Sequence, residues 1–208
     1  MKLSKTALLI LGATLSACQS NSSGSKTSSP DTAATSNTPQ AELIIPGKSI
    51  GDLFIGQDMT AVANIMGEPD AGDAAMGKAW GIWYDENLSG KEETEISIYS
   101  SYKDSTMMVK SVKQIRTTAG KFKTPDGMSV GSTLDRFQAA YPDIQLRSQY
   151  RIGSTGDTVK FFDSRSRGIS AEIVKSTIKA LSVHAMNSDA VESYFTYDPK
   201  TIKLNQDQ

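Results

Sequence analysis

The sequence predicts an α+β fold: tandem duplicated α-β-β-β units that form one antiparallel sheet, with the helices packed on one face. Three observations lead there. The segment Leu53 to Asp70 matches Met128 to Asp143 when Gly56 is laid on Gly131, an offset of 75, and Pro69-Asp70 then meets Pro142-Asp143 after a two-residue deletion. In each copy the apolar residues fall at i, i+3, i+6 and i+7, one face of a helix: Met59, Val62, Ile65, Met66 and Leu134, Phe137, Ala140, Tyr141. Downstream of each copy lie three runs rich in β-branched and aromatic residues, divided by polar turns.

Taken in order, the chain opens on Met1-Lys2-Leu3-Ser4-Lys5, basic and free of acid, followed by the mostly apolar Thr6 to Thr14. These are the charged and apolar parts of an export signal, residues 1–17. The apolar part is about half of the roughly 20 residues that a membrane-crossing helix needs. Leu15-Ser16-Ala17-Cys18 then resembles the bacterial lipobox, with small residues ahead of a sulfur nucleophile suited to a thioether. The resemblance implies cleavage before Cys18 and a lipoprotein whose Cys18 carries a diacylglyceryl group and an N-acyl chain such as palmitate. Two or three acyl chains, at about 0.8 kcal/mol per buried CH2, make a lasting membrane anchor. Gln19, where an Asp would mark inner-membrane retention, implies the outer membrane, facing the periplasm. The other reading of Cys18 is a buried free thiol near the start of a cytosolic domain. Residues 18–40 hold the lipidated cysteine and a Ser/Thr-rich tether. From Gln19 to Gln40 only Ala33 and Ala34 are apolar, too little to offset ordering entropy, and such a coil reaches about 25 Å.

The first repeat is placed at 41–122 and the second, with a C-terminal tail, at 123–208. Leu53/Ile55 and Met128/Val130 each read as a short strand. Gly56 and Gly131 turn the chain, Asp58 and Thr133 cap the helices, and Pro69 and Pro142 stop them. Strands are predicted at 80–84, 96–99 and 108–115 in the first copy and at 158–162, 169–174 and 178–183 in the second, with 163–168 as a hairpin turn. The spacing of three in Val109, Val112, Ile115 does not fit a flat strand and calls for a bulge or a helical turn. The sheet face away from the helices is expected to stay available. The tail bears Tyr194, Phe195 and Tyr197, which either dock on the body or bind a partner.

Gly56, Asp58, Val62, Gly67 and Pro69 resemble the motif of small outer-membrane assembly lipoproteins of the SmpA/OmlA type. Gly131, Thr133, Phe137 and Pro142 carry a second copy, which lacks a Gly before its proline. Two such units in tandem resemble the β-lactamase-inhibitor-protein-like fold, and the resemblance implies a curved sheet that grips a protein. It covers about twenty residues per repeat, so it speaks to fold more than to function.

Composition narrows the chemistry. The chain has 208 residues, 22 Lys+Arg against 23 Asp+Glu, one His and one Cys. A net charge of -1, or -3 once the signal with its two lysines is removed, gives no footprint for nucleic acid. Cys-rich zinc sites, disulfide frameworks and Cys-His pairs are excluded by count. His184, the one imidazole, is predicted at a solvated strand end, with no nucleophile nominated for it. Gly72 to Ala79 imitates a phosphate loop but ends in Ala79, which has no hydroxyl for magnesium. No catalytic residue, metal ligand or cofactor is expected. The residues singled out are Cys18 for lipidation and Trp80, Trp83 and Tyr84 for a partner, since they face both sides of one strand; the bland alternative puts all three in core and edge positions. The expected function is a non-enzymatic, lipid-anchored envelope lipoprotein that binds or scaffolds a protein partner through its sheet face. The alternative is an envelope inhibitor or small-ligand sensor.

Overall fold

Backbone groups that leave one strand must find partners in the next, and in this chain nearly all of them find another strand. The computed structural model describes residues 40–85, 94–192 and 202–204. The signal, Cys18, the tether and the Tyr194-Phe195-Tyr197 tail lie outside the described residues. A small sheet begins the body: β1 (Ile44–Ile45) and β2 (Ser49–Ile50) flank Pro46-Gly47, and β3 (Leu53–Phe54) pairs with β2. After α1 (Met59–Met66) come β4 (Ala71–Ala75), β5 (Lys78–Tyr84), β6 (Glu95–Tyr102) and β7 (Lys110–Thr117). After α2 (Leu134–Ala140) come β8 (Gln145–Arg151), β9 (Thr158–Ser164), β10 (Ile169–Val174), β11 (Thr177–His184) and finally β12 (Ile202–Leu204). The large sheet is antiparallel throughout, in the order β12-β8-β9-β10-β11-β7-β6-β5-β4.

The α+β expectation is therefore corrected. Strands and bridges take 47% of the described residues and helix 12%, so the fold is mostly β, with sheets of three and nine strands. Among the described residues α1 is followed by four strands and α2 by five, β12 included, where three were expected after each. Besides the short β12, composition hid β4, made of Ala, Gly and Asp, and β8, whose Leu146-Ser148-Tyr150 alternation is masked by charge. Nor do helices alone cover the sheet. Val62 and Phe137 share the main core with Ile44, Ile50 and Leu53 of the small sheet and with Ala119, Phe122 and Met128 of the β7–α2 connection. Met128 is buried there but belongs to no strand.

One junction recurs with the same bonds. Gly56 N–H donates to Val112 O (2.8 Å) while Val112 N–H donates to Gln57 O; Gly131 N–H donates to Ile178 O (2.9 Å) while Ile178 N–H donates to Ser132 O. Both glycines have positive φ, 84° and 92°, and no heavy atom lies within 4 Å of an added Cβ, so the left-handed backbone is what requires glycine. Asp58 Oδ1 then accepts from Thr60 N–H at 2.7 Å, and the Thr133 hydroxyl accepts from Arg136 N–H. The irregular β7 spacing resolves into a bulge: Tyr99 faces Gln114 but Ser100 faces Val112, leaving Lys113 as the extra residue. The bulge turns both Val112 and Ile115 into the core.

Candidate functional site

The face of the large sheet away from this core carries the groups that could do chemistry. Alternation along the strands brings Trp80, Ile82 and Tyr84 of β5, Glu95, Ser97 and Tyr99 of β6, and Gln114 and Arg116 of β7 onto it. From the other half come Ser182 and His184 of β11, Ser170 and Glu172 of β10, and Asp163 of β9. The face was expected to be available; instead its centre is buried, including Ser97, Gln114, Arg116, Ser170, Ser182 and Glu172.

Burial of the charged and amide groups is sustained by pairing, while the Ser170 hydroxyl has no partner among the described residues. Arg116 reaches over β11, where Ala180 and Ser182 are small, and meets Glu172 in a fork: Nε donates to Oε1 at 2.5 Å and Nη2 to Oε2 at 2.9 Å. Its Nη1 donates to Glu95, which also accepts from the Ser97 hydroxyl at 3.1 Å. His184, placed by sequence at a solvated strand end, has only 2% of its side chain exposed, and Asp163 has 1%. Its Nε2 lies 2.8 Å from Asp163 Oδ1, and its Nδ1 lies 3.0 Å from the carbonyl of Ala185. An imidazole braced by a carboxylate is the geometry of a general base only if its other nitrogen meets a substrate or nucleophile. Here that nitrogen is held by the main chain, so the pair ties β9 to the end of β11.

The segment after β11 crosses the face. The side-chain amide of Gln114 donates to Val191 O (3.0 Å) and accepts from Val191 N–H (2.7 Å). Tyr150 O–H donates to Glu192 at 2.6 Å, and Lys203 of β12 donates to the same oxygen. Burial pushes the Glu192 carboxyl up, but bonds from Tyr150 and Lys203 outweigh it and hold it below the usual glutamate range. Burial also raises the Tyr150 phenol, reinforced by its bond to Glu192. In the core, burial carries the Tyr141 phenol up to about 12.

The predicted aromatic trio separates. Trp83 turns into the core and its indole N–H donates to Gly67 O at 3.2 Å. A Cβ on Gly81 would stand 2.7 Å from that indole, so β5 is glycine where the ring lies back over the strand. Trp80 is half-buried on the other face, 5.1 Å from the Tyr99 ring, and Tyr84 is 39% exposed. Beside them the Gly72 to Ala79 segment is the β4–β5 hairpin and no phosphate loop. Shallow cavities flank the face. One of about 340 Å3 has Asp73, Trp80, Tyr99 and Glu192 in its wall. Another of about 530 Å3 is lined by Asp143, Arg147, Asp163 and Arg165. Both arginines there lean on Asp189, at 3.3 and 3.6 Å. Bonds from the Ser166 and Ser164 hydroxyls hold the Asp143 carboxyl below its ordinary range.

Among the described residues no cluster of three or more His, Cys, Asp or Glu could hold a metal ion, and no helix is long and apolar enough to cross a membrane. Sequence reasoning missed the Arg116–Glu95–Glu172 triad. Its local trace was a charge within β7 and within β10 and one at the start of β6. No known protein family, curated protein or solved structure matches the chain.

Proposed function

We propose that this chain is a lipid-anchored lipoprotein of the bacterial envelope, held to the outer membrane through Cys18, that binds or scaffolds a protein partner at the β4–β5 end of its large sheet. The anchor reading rests on the basic start, the short apolar run and Leu15-Ser16-Ala17-Cys18. The binding reading rests on one observation above all: Trp80 and Tyr84 share a face of β5, and the neighbouring end strand presents exposed residues from Gly72 to Ala75. Aromatic anchors beside an open sheet end suit a protein surface. The buried centre of the face narrows the site from the whole sheet to that end. A small-ligand sensor would call for a deep apolar pocket with convergent polar groups, and the charged, solvent-open cavities favour a protein instead.

Two measurements on the purified membrane form test this. Intact mass should show acylated Cys18, and Cys18→Ser should move the chain to the soluble fraction; an unmodified Met1 or a free thiol contradicts the anchor. Proteins that co-purify with the wild type should be lost with Tyr84→Ala and kept with Ile65→Ala, a change at an exposed residue of α1. Equal recovery from both variants contradicts the placement of the site.

A further inference from the structure

We propose that the open edge of β4 accepts an extended strand from the partner, antiparallel to β4, with a lysine or arginine opposite Asp73. The proposal rests on the partner-binding reading above and adds its mode and chemistry. The two edges of the large sheet are treated differently by the chain. β8 is covered by the chain's own β12, Ile202 facing Arg151 and Leu204 facing Gln149. Among the described residues β4 ends the sheet on the other side, its register with β5 unbroken from Ala71↔Ile82 to Ala75↔Lys78, and Gly72 to Ala75 are exposed. Edges are ordinarily blunted by charged side chains, Pro or a bulge; β4 has no Pro and no bulge, and its one such device is the charge of Asp73.

The chain occupies one main-chain donor of this edge with its own carboxylate: Asp73 Oδ1 accepts from Ala74 N–H at 2.8 Å. A strand that adds here takes the Ala74 N–H with its own carbonyl and releases the Asp73 carboxylate. A cation on the incoming strand then satisfies the released charge, and the position opposite Asp73 is the nearest one on that face. Ala71 and Ala75, the residues either side of Asp73 on the face, are too small to obstruct a long side chain. Lys78, paired with Ala75, disfavours a second cation there. A second copy of β4 is a poor occupant, because the two-fold register centred on Asp73 sets carboxylate against carboxylate.

The test uses the isotope-labelled full chain and two N-acetylated peptides, Thr-Ile-Lys-Val-Thr and Thr-Ile-Glu-Val-Thr. The lysine peptide should shift the Gly72 to Ala75 amides and slow exchange at Ala74, binding about fivefold more tightly than the glutamate peptide, as one opposite-charge cross-strand pair allows. Asp73→Lys should invert that preference, and Ala74→Pro, which removes the donor, should abolish both responses. The charge inversion stands even if Ala74→Pro disturbs the hairpin. Equal affinity for the two peptides, shifts elsewhere on the sheet, or shifts at β4 that grow with protein concentration alone would overturn the proposal. Loss of co-purification with Tyr84→Ala beside silent β4 amides removes strand addition and leaves the partner reading intact. An unchanged co-purification removes the partner reading itself.

Discussion

Replacing Arg116 by methionine tests whether the polar face is held by compensation. The Arg116, Glu172 and Glu95 side chains are 7%, 7% and 13% exposed, so removing the guanidinium strands two carboxylates where water reaches neither freely. Breaking a buried pair by deleting one partner costs ~3–5 kcal/mol, because a buried charge is left uncompensated. Glu95 keeps the Ser97 hydroxyl at 3.1 Å, which places the expected cost toward the lower end, ~3 kcal/mol. With a urea slope of about 2 kcal/mol per molar, the unfolding midpoint should fall by ~1.5 M at unchanged slope. The triple variant Arg116→Met, Glu95→Gln, Glu172→Leu should recover to within ~1 kcal/mol of the wild type, since well-packed apolar groups replace buried ion pairs at little cost. A midpoint loss under ~0.3 M for the single variant, or a triple variant no better than the single, would refute the reasoning.

Other consequences follow from the same packing. Asp163→Ala and His184→Ala should each destabilise by ~1.5–3 kcal/mol, the scale of a buried hydrogen bond to a carboxylate, with the double variant short of additive in a denaturation cycle; additive losses would show that the 2.8 Å contact carries nothing. Phe137→Ala, at a fully buried helix position, should cost ~3–5 kcal/mol, whereas Ile65→Ala, 51% exposed on α1, should stay within ~0.5 kcal/mol. Because the Glu192 carboxyl is depressed in the folded state, its contribution is fully present above the ordinary glutamate value of 4.5 and is lost as pH falls through its lower folded value. Protection of the Val191 amide, measured against its intrinsic exchange rate, should therefore fall as pH drops below 4.5 in the wild type, and Glu192→Gln should remove that step.

The parts of the fold legible in the sequence are those that local chemistry dictates. Gly56 and Gly131 answer a positive φ, Asp58 and Thr133 cap the helices that follow, and a spacing of three in β7 can be reconciled with a strand only by an extra residue, which is Lys113. What stayed hidden depends on non-local pairing. β4 is a strand because β5 lies beside it, since Ala71-Gly72-Asp73-Ala74-Ala75 has neither alternation nor β-branched residues, and so no strand was expected there. The candidate site divides in the same way. The Trp80/Trp83 split between two faces follows from strand parity, but the burial of His184 depends on Asp163 two strands away and on the carbonyl of Ala185. No spacing along the chain signals that Arg116, Glu95 and Glu172 converge, because four strands, β6, β7, β11 and β10, must be in register first.

The central claim is that the β4–β5 end of the sheet meets a partner protein in the envelope, and site-directed photocrosslinking in living cells measures it directly. A photoreactive phenylalanine at position 84 should give a discrete protein adduct, and the same group at position 65 on α1 should give none. Absence of an adduct from position 84, or the same adducts in equal yield from both positions, would contradict the claim.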